Sequence, residues 1–124
     1  RDNKMEWIPI VIQLIIAVSI FNVWLLRFGK PTSWRGGSAK NMKEEFKTYG
    51  LPHWFMMLIG ALKILFASLL IVGIWIPELV RPAAIGIAVL MLGAIIMHFK
   101  VKDPPLKSLP AFIFLVLSLV VVFI

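Results

Sequence analysis

Four uninterrupted apolar runs govern what this chain of 124 residues can fold into: Trp7 to Leu26, Trp54 to Ile76, Ala83 to Phe99 and Leu109 to Ile124. The first is 20 residues long. At about 1.5 Å of rise per residue, a helix of that length matches the roughly 30 Å hydrocarbon core of a bilayer. A soluble domain patterns its apolar residues by face, with a period near 3.6 or 2, whereas here they are blocked by segment. The apolar share is 60% and the charged share 15%, against about 45–50% apolar in ordinary soluble domains. The expected fold is all-α: a polytopic membrane four-helix bundle forming a single domain over residues 1–124. The first run reads as a retained anchor, because Leu25-Leu26-Arg27-Phe28 lacks the small-x-small pattern at which a signal peptide is cleaved.

Thirteen Lys and Arg against six Asp and Glu give a formal charge of +7, which taken alone resembles a nucleic-acid footprint. Its distribution points elsewhere, and no nucleic-acid partner is expected. Nine of the basic residues fall in two loops: Arg27, Lys30, Arg35, Lys40, Lys43 and Lys47 in the first, Lys100, Lys102 and Lys107 in the last. Arg1, Lys4 and Arg81 lie on the other side, and Lys63 lies within a span. Because short cytoplasmic loops carry the basic excess, loops one and three are expected to be cytoplasmic and both termini opposite, in a bacterial inner membrane. Trp7 and Trp75 then mark one interface, and Trp24 and Trp54 the other. The bilayer is the first expected partner, followed by other membrane subunits or further copies of the chain.

The chain has no cysteine. This excludes disulfides, thiolate-held zinc, iron–sulfur clusters, thioether-linked haem and thiol catalysis. A redox role would need a borrowed cofactor, such as a quinone or a lipid-soluble group. No metal site is expected.

The first loop holds most of the polar character. Met42, Phe46 and Tyr49 recur at i, i+4 and i+7, with Ser38 placed as an N-cap and Gly50 then Pro52 as a stop. These predict a short interfacial amphipathic helix over residues 38–49, apolar edge toward the membrane. Ahead of it, Trp34-Arg35-Gly36-Gly37 reads either as a plain turn or as a nest of backbone N–H groups for an anion or headgroup.

Within the spans Lys63 is the one formal charge, nine residues past Trp54 and so about 14 Å along the helix from it. It shares a face with Met56, Gly60, Ala67 and Ile74 and is expected to point inward. Either it binds a ligand or its stem carries the ammonium out to the headgroups. No Asp or Glu occurs in any of the four runs, so either an acidic partner comes from a loop, another chain or a ligand, or desolvation leaves Lys63 deprotonated. Ser19, Asn22 and Ser118 are neutral candidates at similar depth, whereas Gln13 lies on another face and suggests no role. His53 and His98 fall at one interface and, with Asp103, read either as a metal, quinone or proton site or as two interface residues. Gly60 and Ala67 on one span, and Gly86 and Gly93 on the next, recur at heptad spacing and favour close helix packing over a ligand cleft.

Gly50-Leu51-Pro52 into Trp54, the segment Ile59-Gly60-Ala61-Leu62-Lys63, and His98-Phe99-Lys100-Val101-Lys102-Asp103-Pro104 resemble the DoxX-like family of small four-helix membrane proteins. The loop from Arg35-Gly36-Gly37 through Lys40-Asn41-Met42-Lys43-Glu44-Glu45-Phe46 looks like that of its bacterial branch. The resemblance implies a four-helix membrane fold. The roles it brings are diverse: a subunit of a thiosulfate:quinone oxidoreductase, partners of redox-stress enzymes, and an assembly chaperone for receptors. Several relatives have a glutamate where this chain has Lys63, so a role for that acid does not carry over. The sequence contains no complete catalytic constellation, and the expected role is a non-catalytic accessory or assembly subunit of a larger membrane complex. The alternative is a quinone- or lipid-binding subunit of a membrane oxidoreductase, with Lys63, Asn22, Ser19, His98 and Asp103 lining its site.

Overall fold

A computed structural model of the chain describes residues 7–26, 28–30 and 35–123. The expectations attached to Arg1, Lys4, Arg27, Trp34 and Ile124 lie outside the described residues. Five α-helices and three short helical turns make up 80% of the described residues. Helix α1 (Trp7–Phe21) passes into a π-helical turn, Asn22–Leu26. The short α2 (Met42–Thr48) precedes α3 (His53–Val72). A 3₁₀ turn at Pro77–Leu79 leads into α4 (Val80–Lys100), and another at Pro105–Ser108 leads into α5 (Leu109–Phe123). No strand occurs among the described residues, and the all-α reading holds.

Four segments are long and apolar enough to cross a membrane: Trp7–Leu26, His53–Val72, Pro77–Lys100 and Pro105–Phe123. The second ends earlier than its hydropathy suggests, because after Gly73 the ladder tightens into i→i−3 bonds, from the Ile74 and Trp75 N–H groups to the Ile71 and Val72 carbonyls at 3.1 and 3.0 Å. The third begins before Ala83. Pro82 falls in the first turn of α4, where a missing N–H costs nothing, so the helix starts at Val80.

Around the bundle α1 packs against α3, α3 against α4, α4 most extensively against α5, and α5 back against α1, while α2 lies on α3. The core at their centre includes Ile16, Ala17, Met56, Ala67, Leu70, Ala83, Ala84 and Ile87. The outer faces are apolar as well: Trp54, Val18 and Phe123 are among many large side chains left open. Acyl chains are the solvent for which such a surface is suited.

With no water in the hydrocarbon, helix ends need internal partners. Gln13, which carried no reading in the sequence, is buried on α1 and donates from Nε2 to the Leu70 carbonyl at 2.8 Å, filling an acceptor left open at the end of α3. Arg81 Nε donates in the same way to the Val122 carbonyl at the end of α5, at 3.1 Å.

Candidate functional site

The inner face of α1 and its π turn carries Gln13, Ile16, Ala17, Ile20 and Trp24, at i, i+3, i+4, i+7 and i+11 and all buried. Trp24 is therefore an interior residue, 8% exposed, and not a belt residue at the interface. The belt rule considers depth alone, whereas position on the helical stripe decides the matter here. Trp7, Trp54 and Trp75 remain open, at 62%, 67% and 76%. The Trp24 indole lies against Gly60, where an added Cβ would stand 2.6 Å from the ring. Three residues on, Lys63 brings its Nζ to 5.4 Å from the centre of the same ring, within cation–π range.

Lys63 points inward and lines a cavity of about 850 Å³ between α1, α3, α4 and α5, roofed by the first loop and α2. Ser19, Asn22 and His98 line it too, as does Arg35, so five of the residues singled out in the sequence meet there. Trp24, Glu45, Tyr49, Gly93 and Lys107, none of them proposed as site residues from the sequence, also line it. Asp103, Gly36 and Gly37 do not face the cavity; they hold its roof. His53 is exposed at the start of α3 and makes no interaction with His98 among the described residues.

The roof is built on α2, which is shorter than residues 38–49. Its N-cap is Asn41, not Ser38: the Asn41 side chain accepts from the Glu44 N–H at 2.9 Å. At its other end Gly50, at φ +78°, closes a Schellman motif in which the Gly50 and Leu51 N–H groups bond the Lys47 and Phe46 carbonyls. The apolar edge, Met42, Phe46 and Tyr49, is covered by protein and not by lipid. Phe46 meets Trp24 edge-on at 6.1 Å, and Tyr49 meets both Phe46 and His98 at about 6 Å.

Two partly buried carboxylates fasten this roof. Glu45 receives Arg35 at 3.0 Å, the Tyr49 hydroxyl at 2.7 Å and the Gly36 N–H at 3.2 Å. Burial first, and then the neighbouring Glu45 charge, push the Tyr49 phenol well above its ordinary pKa and keep it a donor. Arg35 reaches back to the Lys30 and Phe28 carbonyls and so holds both limbs of the loop. Asp103 receives the Gly37 N–H at 3.0 Å and His98 Nδ1 at 2.8 Å. A carboxylate only accepts, so Nδ1 carries the proton of that bond. Lys107 Nζ stands 4.0 Å from Asp103 and donates to the Arg35 and Gly37 carbonyls. Burial alone would raise the Asp103 carboxyl, but the His98 and Gly37 hydrogen bonds and the Lys107 charge outweigh it and hold it below the usual carboxylate range. The glycine N–H groups read as an anion nest thus contact carboxylates of the chain itself.

The geometry of Asp103 comes from the end of α4. The Lys102 N–H bonds the Phe99 carbonyl and the Asp103 N–H the His98 carbonyl, a second Schellman motif with Lys102 at φ +60° and Pro104 following. This turn folds Asp103 back beside His98. The segment His98 to Pro104 is therefore a helix stop that aims a carboxylate at the first loop.

Gly60 and Gly86 fit the close-packing reading, with Gly86 lying under the Phe66 ring. Gly93 departs from it: nothing stands within 4 Å of where its Cβ would be, and it opens on the cavity. Among the described residues no group of three or more His, Asp or Glu gathers as a metal site.

Comparison with known proteins agrees with this architecture. A curated protein of Bacillus subtilis (strain 168), uncharacterized protein YdgD, is 31% identical over 80 residues, covering 64% of this chain and 70% of its own length. No solved structure gave a significant match. The model of the DoxX-like family matches residues 31–121, which takes in the roof, the last three spans and both Schellman motifs. The chain is an integral membrane protein in contact with the lipid bilayer, and it belongs to the DoxX-like family.

Proposed function

We propose that the protein is a ligand-binding subunit of a larger membrane assembly, holding the polar head of a quinone or lipid inside its bundle. The observation that supports this reading is the cavity of about 850 Å³, in which Lys63, Asn22, Ser19 and His98 share a wall with apolar side chains. Its size and mixed lining are those of small-molecule sites, in which a few polar groups orient a largely apolar ligand. The bacterial inner membrane, with loops one and three cytoplasmic, is the setting in which the basic loops make sense.

Gly93 supplies the test, because it faces open space and carries no charge. The protein is reconstituted in nanodiscs and titrated with a short-chain quinone and, separately, with a lysophospholipid, following tryptophan fluorescence. Wild type is expected to bind one of them saturably, and Gly93→Leu, which fills the cavity, to bind neither. Identical titrations for the two proteins would defeat the reading.

A purely accessory role rests on a different observation, the apolar outer faces of all four spans. It requires the protein to travel with a partner or with copies of itself. Native mass measurement in mild detergent showing only lone protomers would remove it.

A further inference from the structure

The charges around the cavity do not balance. Arg35 is matched by Glu45 at 3.0 Å. Lys107 is matched by Asp103 and two backbone carbonyls, and the same carboxylate accepts from His98 Nδ1. Lys63 makes no hydrogen bond or ion pair among the described residues; its contact is the Trp24 ring face. Glu45 is the acid whose field reaches it, and that carboxylate is already held by Arg35, Tyr49 and Gly36. One ammonium therefore faces the cavity uncompensated. A cation inside a membrane protein is costly unless a counter-charge meets it. Apolar side chains, among them Ile20, Phe55, Ile59, Val89 and Phe114, make up much of the remaining wall, beside the neutral Ser19 and Asn22.

We infer that the occupant is a singly charged anionic amphiphile, its acid head on Lys63 above Trp24 and its alkyl chain along the apolar wall. Long-chain carboxylates are the simplest members of this class, and an acidic lysolipid presents the same chemistry. The inference rests on the ligand-binding reading above and narrows it, since a neutral quinone leaves the Lys63 charge unmatched.

The probes are dodecanoate and dodecanol, which share a chain and differ in head charge. Each is bound in radiolabelled form to the protein in nanodiscs, with empty nanodiscs subtracted. Both probes also partition into lipid, so the quantity read is the dodecanoate-to-dodecanol affinity ratio of wild type divided by that of a variant in the same lipid. Wild type is expected to prefer dodecanoate by about tenfold or more, as befits a charge-assisted contact in a dry site. Lys63→Met is expected to lose the preference while still binding dodecanol, and Lys63→Arg to keep it. Retained dodecanol binding shows that the Lys63→Met protein is folded, and Gly93→Leu is expected to bind neither probe. If wild type binds both equally, or Lys63→Met keeps the preference, the anionic assignment is overturned and the cavity reading survives. If wild type binds neither, the cavity reading falls and this one with it. An acidic lysolipid competing with dodecanoate on wild type but not on Lys63→Met extends the site to lipid headgroups; competition on both proteins alike overturns the role of Lys63.

Discussion

Three glycines on the inner faces of α3 and α4 do three different things, and substitution by alanine separates them. At Gly60 an added methyl meets the Trp24 ring at 2.6 Å, and at Gly86 it meets the Phe66 ring at the same distance. Both substitutions overpack the interior and are expected to cost about 1–3 kcal/mol. Gly60→Ala has the further effect of displacing the indole beneath Lys63, so its tryptophan emission is expected to shift while that of Gly86→Ala does not. At Gly93 nothing is within reach, and alanine is the better helix former by about 1 kcal/mol. Gly93→Ala is therefore expected to raise the thermal midpoint in detergent. Lys102 poses the reverse case: it holds φ +60° at the αL position of its Schellman motif, where glycine is at ease. Lys102→Gly is expected to stabilise by up to about 1 kcal/mol, read from the same melts, and a loss of stability would show that the lysine side chain matters more than its backbone.

The roof and the turn after α4 are short elements held to each other by the Asp103 carboxylate, with Lys100 and Lys107 adding bonds to the Tyr49, Arg35 and Gly37 carbonyls. Asp103 ionises more readily in the folded protein than in the unfolded chain, so its contribution is complete above an unfolded value near pH 4 and is lost as the pH falls through the lower folded value. Stability is accordingly expected to be level around neutrality with respect to this group and to drop on acidification below about pH 4. Asp103→Ala removes the acceptor of His98 and Gly37 together and is expected to cost about 3 kcal/mol at pH 7 and to flatten the acid limb of the melting profile. A variant that melts like wild type at pH 7 would mean that the roof is not fastened there. Much of these elements is legible from sequence: the spans from hydropathy, the Gly50 stop from its position after Tyr49, and the inward face of Lys63 from its spacing to Gly60 and Ala67. Trp24 was legible too, had its spacing from Ile20 been weighed against its depth. The clasp was not, because Gly37 and Asp103 are 66 residues apart and no local propensity reports a contact made across the bundle. The cavity was hidden for a related reason. Gly93 has the spacing of a packing residue, and only the paths of the neighbouring helices show that nothing packs against it.

The clasp also bears on how the whole molecule sits in its membrane. Since Gly37 and Lys107 each bind across it, the first and third loops lie at one end of the bundle, and their basic residues act as a single cluster. Among the described residues the far end carries Arg81 and Glu78 between α3 and α4. We propose from this asymmetry, nine basic residues in the two loops against Arg1, Lys4 and Arg81 on the other side, that the roof is cytoplasmic. The absence of native cysteine makes the orientation directly measurable. Single cysteines at Lys43 on the exposed side of α2, at Leu106 in the third loop and at Glu78 at the far end give three reporters, all on open positions. In intact bacterial cells a membrane-impermeant maleimide is expected to label Glu78→Cys and to spare Lys43→Cys and Leu106→Cys until the membrane is opened. The first two must label alike whatever the orientation, because the clasp places them together; a split between them would contradict the fold itself. Labelling of both, with Glu78→Cys protected, would leave the fold intact and turn the roof of the cavity to the outside.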